Sequence, residues 1–123
     1  MIYGQVNADR EGIIRLKLQG PQGHEQEVEA VMDTGFNGFL TVPPALAAAL
    51  GCLHIGRGRA VMANGQSELF DVYEVTVVWD GQPRTVEADA ADTDALIGMS
   101  LIYGYELRMQ AVDGGRVTIE AMP

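Results

Sequence analysis

Basic residues are scarce: Lys and Arg together number 8 against 17 Asp and Glu, for a formal net charge of −9. Nucleic acids and anionic membrane surfaces are held by basic faces that displace counterions, and these scattered cations build no such face, so neither is expected as a partner. Cysteine occurs once, as Cys52, which excludes a disulfide framework and a cysteine-based metal cluster and leaves it reading as a small apolar residue of the interior. No apolar run approaches the roughly 20 residues that span a bilayer. The opening MIYGQVNADREG has neither the basic nor the apolar region of a signal peptide, and a cytoplasmic protein is expected. His24 and His54 lack any carboxylate-histidine spacing and read as structural.

What the chain does have is turns. Its 123 residues include 15 glycines, with hydrophobic residues at 47% and charged residues at 20%, the usage of one globular domain built from many short elements. Residues 13–19, IIRLKLQ, and 25–32, EQEVEAVM, alternate with period two around GPQG, the pattern of a hairpin of half-buried strands. Pairing polar face with polar face demands an odd loop such as 20–24, which sets Lys17 opposite Glu27 and Arg15 opposite Glu29. PPALAAALG, with prolines at its start and glycine at its end, predicts a short helix over 44–50. Asn64-Gly65 and Asp80-Gly81, each between apolar runs, predict two-residue turns in a meander whose middle strand runs 69–79. DALIGMSLIYGYEL predicts a strand end at 95–97, a glycine, and a second short helix. LRMQAV and RVTIEA around DGG predict a closing hairpin, with Leu107, Met109 and Ala111 facing Val117, Ile119 and Ala121. The sum is a mainly β, barrel-like single domain over 1–123 with one or two short helices.

One segment stands apart. In VMDTGFNGFLTVP, residues 31–43, a carboxylate lies among Val31, Met32, Phe36 and Phe39. Asp33 is either a turn residue capping local N–H groups or a reacting group. Three further acids, Asp89, Asp92 and Asp94, lack the glycine and terminal glutamate of a calcium loop and read as a solvated acidic turn, so no metal site is expected.

Val31-Met32-Asp33-Thr34-Gly35, a later hairpin tipped at Asn64-Gly65, and Leu96-Ile97-Gly98 ahead of a short helix together resemble the retropepsin-like aspartic proteases. The D-T-G-F run, Asp33 to Phe36, is similar to that of the small prokaryotic branch. The likeness follows the order of elements over nearly the whole chain. It implies a retropepsin-like closed barrel, and an aspartic endopeptidase that activates water between two carboxyl groups, one acting as acid and the other as base. Because the chain holds one D-T-G, the resemblance implies a homodimer that places Asp33 against its own copy, with a peptide or protein as substrate and no cofactor. It makes Asp33 catalytic. Thr34, Gly35, Leu96, Ile97 and Gly98 become supports of the active-site loop. Phe36, Asn64 and Gly65 become substrate-binding, the last two at the tip of a flap, residues 59–72, that closes over an extended peptide. Phe36 stands where active relatives carry a small residue, so a catalytically silent dimer that binds extended peptides is the alternative. The resemblance leaves open whether the terminal segments MIYGQV and VTIEAMP interleave across the twofold.

Overall fold

The computed structural model describes residues 1–123. Its elements run β1 (Ile2–Val6), β2 (Gly12–Gln19), β3 (Glu25–Met32), β4 (Leu40–Val42), α1 (Pro44–Leu50), β5 (Leu53–Val61), β6 (Ser67–Trp79), β7 (Gln82–Ala90), β8 (Ala95–Ile97), α2 (Met99–Ile102), β9 (Tyr105–Met109) and β10 (Arg116–Ala121). The strands form one sheet in the order β5-β6-β7-β4-β8-β3-β2-β1-β10-β9. A further pairing of β2 with β6, Leu18 beside Val77, closes the six strands β2, β3, β8, β4, β7 and β6 into a barrel. Two of its pairings, β3–β8 and β4–β7, are parallel. No helix is long and apolar enough to cross a membrane.

The alternation of β2 fills the barrel. Ile14, Leu16 and Leu18 point inward against Val75, Val77, Val86, Ala88 and Ile97, all buried. Each large side chain so buried contributes about 1.5–3 kcal/mol relative to exposure. On the outer face Arg15 stands opposite Glu29 and Lys17 opposite Glu27, the register expected from the odd loop. The cations do not all bond straight across: Arg15 lies 3.6 Å from Glu29 and 3.8 Å from Glu27, while Lys17 leans diagonally to Glu25 at 3.7 Å. These exposed pairs contribute about 0–1 kcal/mol each. The helix over 44–50 begins on Pro44 and stops at Gly51, whose φ of 64° lets its N–H reach back to the last turn. It buries Leu46, Ala47 and Leu50 against the barrel. Cys52, just beyond, is half-buried, and burial pushes its thiol up from the ordinary value.

Three expectations need correction. Asp80-Gly81 does make a two-residue turn between Trp79 and Gln82, both central residues having positive φ. The Asn64-Gly65 turn, however, is a three-residue loop, because Met62 N–H donates to the Gln66 carbonyl and only Gly65 has positive φ. Asn64 there caps the Gln66 N–H through its side chain at 3.0 Å. Secondly, the closing hairpin pairs Met109 with Val117 and Leu107 with Ile119, but Ala121 faces Tyr105, and Ala111 falls in the turn. Gln110, Val112 and Gly115 bond among themselves there and end the ladder. Thirdly, the acidic turn is split, since Asp89 belongs to β7, while Asp92 and Asp94 lie beyond the strand. The terminal strand β1 runs between β2 and β10 of its own chain.

Asp89 sits on β7 between Val72 of β6 and Thr41 of β4. Burial, with a smaller push from Glu87, raises its carboxyl above the ordinary 3.8. The folded chain thus holds this proton more tightly than the unfolded chain, so stability is lost as pH rises from the ordinary carboxylate range through the raised value. Asp89→Asn removes that loss. Urea midpoints should favour the variant at about pH 7 and show the gain gone near pH 3; an equal effect at both would show that the charge is not its source.

Candidate active site

Parallel pairing of β3 with β8 aims the D-T-G. Val31 lies beside Leu96 and Met32 beside Ile97, and the Asp33 N–H makes the next rung by donating to the Ile97 carbonyl at 2.9 Å. The chain then turns: the Phe36 N–H donates to the Asp33 carbonyl at 3.1 Å, and the Gly35 N–H donates to Asp33 Oδ1 at 3.0 Å. This last bond is an Asx-type turn that fixes the carboxylate from its own loop. Asp33 is half-buried, while Thr34 and Gly35 are exposed beside it.

The underside of the loop is clamped by the start of α2. Gly98 N–H donates to the Phe39 carbonyl at 3.0 Å, Met99 N–H to Phe36 at 2.8 Å and Ser100 N–H to Gly38 at 3.1 Å. The Ser100 hydroxyl adds a bond to the Asn37 carbonyl at 2.5 Å. The first N–H groups of a helix lack partners within it, and here the loop supplies the acceptors. Backbone approaches so closely that a Cβ on Gly98 would strike the Gly38 carbonyl. The Phe36 ring lies against this glycine shelf, where a Cβ on Gly38 would stand 2.5 Å from Cζ and a Cβ on Gly98 2.6 Å from Cδ2. The ring is therefore turned onto its own loop and the head of α2.

Seven of the residues singled out in the sequence meet here: Asp33, Thr34, Gly35 and Phe36 from the loop, and Leu96, Ile97 and Gly98 from β8 and its end. Ile97 is fully buried. Asn64 and Gly65 do not join them within the chain; they stand exposed at the tip of the β5–β6 hairpin, and no hydrogen bond links that tip to the Asp33 loop. Gly38, Thr41 and Ser100 were missed. Thr41 is 8% exposed, and its Oγ1 accepts the Leu96 N–H at 3.1 Å, so β4 braces β8 through a side chain. The repeated glycine in GFNGF was the one available signal for Gly38. His54 also gains a partner that sequence spacing hides: its Nε2 lies 2.9 Å from Asp71 Oδ1 across the β5–β6 ladder, with Arg57 Nε 3.5 Å from the same oxygen.

No three His, Cys, Asp or Glu side chains are grouped so as to hold a metal ion. Clefts beside β1 and β2, beside α1 and along β9 lie away from the Asp33 loop. What the loop presents is a single carboxyl group, rigidly held below and open above. Gly98→Ala should lower stability by about 1–3 kcal/mol, through overpacking against the Gly38 carbonyl and the Phe36 ring. An unchanged urea midpoint would show that the loop is not seated as described.

No protein-family model matches the chain, and comparison with curated proteins gives no match. Solved structures do match. A crystal structure of a retropepsin-like aspartic protease from Rickettsia conorii superposes with a TM-score of 0.60 at 15% identity, over 99% of this chain and 91% of that one. The solution structure of simian foamy virus (mac) protease gives 0.52 at 20% identity, over 72% and 90%. A foamy viral protease-reverse transcriptase in complex with an RNA/DNA hybrid gives 0.53 at 20% identity, over 76% of this chain and 12% of that one. With its six-stranded mixed barrel and two short helices, the chain has the retropepsin-like aspartic protease fold over nearly its whole length.

Proposed function

We propose that this protein is an aspartic endopeptidase that works as a homodimer, with Asp33 of each copy supplying half of the catalytic pair. The observation that carries this reading is the seat of Asp33: one carboxylate, fixed by the Gly35 N–H, on a loop clamped by α2, in a chain of retropepsin-like fold that holds a single D-T-G. One carboxyl group cannot take a proton from water and give one to the substrate in the same step. Two held in contact cannot both ionise, so one stays acid while the other stays base, and the pair titrates as a unit. The ionised Asp33 takes a proton from water as its oxygen attacks the peptide carbonyl. The protonated Asp33 gives its proton to the carbonyl oxygen. Collapse of the resulting diol breaks the C–N bond, and a proton passes to the leaving nitrogen.

The β5–β6 hairpin suits the cover of such a site. Beyond the barrel it is a two-stranded ribbon whose Val61, Met62 and Leu69 are exposed, apolar side chains of the kind that pack on a bound peptide. A peptide strand between this ribbon and the two Asp33 loops would be held by backbone hydrogen bonds, with side-chain preference set by flanking pockets. The Phe36 ring, seated on Gly38 and Gly98, supports the active reading over the silent peptide binder.

Asp33→Asn should reduce cleavage of an unfolded protein substrate by at least about 100-fold while leaving the mass in solution unchanged. Wild-type turnover should rise as pH falls from about 7 toward the range in which the pair holds a single proton. Cleavage that survives the substitution would eliminate this mechanism. Peptide binding without turnover across that pH range would leave the silent dimer in its place.

A further inference from the structure

The register of the barrel joins the Asp33 loop to the root of the β5–β6 ribbon along one row of side chains. Val31, two residues before Asp33, pairs with Leu96, Leu96 with Thr41, Thr41 with Asp89, and Asp89 with Val72. Directly paired residues project from the same face of a sheet. The neighbouring row, Ile97, Leu40 and Ala88, is buried inside the barrel, so this one lies on the outer face. Alternation carries that face up the ribbon from Val72 to Phe70 and Glu68.

A cleft of about 470 Å³ opens where the row meets the ribbon, with Thr41, Glu68, Phe70, Asp89 and Asp92 in its lining. On the ribbon, Phe70 pairs with Gly58, and its ring lies over that glycine, where a Cβ would strike Cζ. No lysine, arginine or histidine lines the cleft. Asp89 is half-buried, and none of the ion pairs of the chain includes it. A carboxyl group kept where burial raises it, at a cost to stability at neutral pH, is what a site retains for a charge that arrives from outside.

The chemistry of that visitor is narrow. A metal ion wants several converging ligands, and no three acids are grouped to hold one. A lysine or arginine side chain needs less, since its apolar stem can lie along the Phe70 ring while its charged head reaches one carboxylate. Set against Asp89, such a head holds the carboxyl ionised and offsets the burial. An acidic side chain would meet Glu68, Asp89 and Asp92 with no cation to receive it. An extended peptide crossing the Asp33 loop runs beside this row and sends alternate side chains toward it.

We infer that the cleft is a side-chain pocket for lysine or arginine of the substrate, and that Asp89 is the residue that selects them. This rests on the aspartic endopeptidase reading above and names its substrate class: chains with a basic residue at one fixed distance from the scissile bond.

Mapping by mass spectrometry of the cuts made in an unfolded protein substrate tests the inference. Lys and Arg should be enriched at a single position relative to the cut by at least about fivefold. Peptides built on one such site, with Lys, Leu or Glu at that position, then separate selection from folding. Wild-type kcat/KM should fall at least about tenfold from the Lys to the Leu peptide, and further to the Glu peptide. Asp89→Asn, a substitution that gains rather than loses stability at neutral pH, should lower the Lys-to-Leu ratio at least about fivefold, and Glu68→Gln should lower it less. Cleavage with no basic preference at any position, or a ratio unchanged in Asp89→Asn, would overturn the pocket and leave the peptidase standing. A wild type that cuts nothing would overturn the peptidase reading instead. The pocket is then read by fluorescence anisotropy of labelled valine-rich peptides with Lys, Leu or Glu at the centre: tighter binding of the Lys peptide, lost in Asp89→Asn, supports it, and equal binding of all three or no binding overturns it.

Discussion

Below Asp33, backbone rests on backbone. Gly98 lies against the Gly38 carbonyl with no side chain between them, and the N–H groups that open α2 are consumed by carbonyls of the loop. Two consequences follow from that contact. The loop has no room to settle, so the carboxylate keeps the orientation that the Gly35 N–H gives it. The space freed by the two glycines is also where the Phe36 ring goes, so a bulky residue after D-T-G is accommodated by the shelf. A larger residue at either glycine would displace the ring and the loop together.

The barrel supplies the frame for this contact through its two parallel pairings. Parallel neighbours leave strand ends side by side, and β3 and β8 finish together at Met32 and Ile97, one running into the D-T-G and the other into Gly98. β4 braces β8 from its other side through the Thr41 hydroxyl. Asp33, Phe36 and α2 thus emerge from one end of one barrel seam. The half-buried Asp33 lies at that end, its carboxylate fixed by the Gly35 N–H.

The parts of this fold that could be read from sequence are those decided by near neighbours. The β2–β3 register followed from alternation and loop parity, α1 from its prolines and glycine, and the Asp80-Gly81 turn from its dipeptide. Asn64-Gly65 misled because the same dipeptide serves loops of two and three residues, and the pairing of Met62 with Gln66 sets the count. Closure of β2 on β6, and the place of β1 beside β10, depend on partners far along the chain, and Gly4 leaves the inner face of β1 with only Ile2 and Val6 as apolar signals. At the site, the D-T-G and Leu96-Ile97-Gly98 were legible as motifs. The direction of Phe36 was not, because it is set by glycines on two separate segments. Thr41, Ser100 and the His54–Asp71 pair were hidden for the same reason, each acting on a residue distant in sequence.

Strand β6 belongs to two structures at once. From Val72 to Trp79 it is a stave of the barrel, paired with β7 and, near its end, with β2. From Ser67 to Asp71 its only neighbour is β5. The last rung to β7, Val72 with Asp89, lies at the same level as the β5 bulge, where Gly56 pairs with Val72. In mechanical terms the ribbon is a cantilever built into a stiff wall: backed by a third strand up to that level, unsupported past it, and notched at the root. Bending should concentrate at the notch, so the reach of the hairpin tip is governed by the few residues around Gly56 and Val72, and by the His54–Asp71–Arg57 cross-tie just above them.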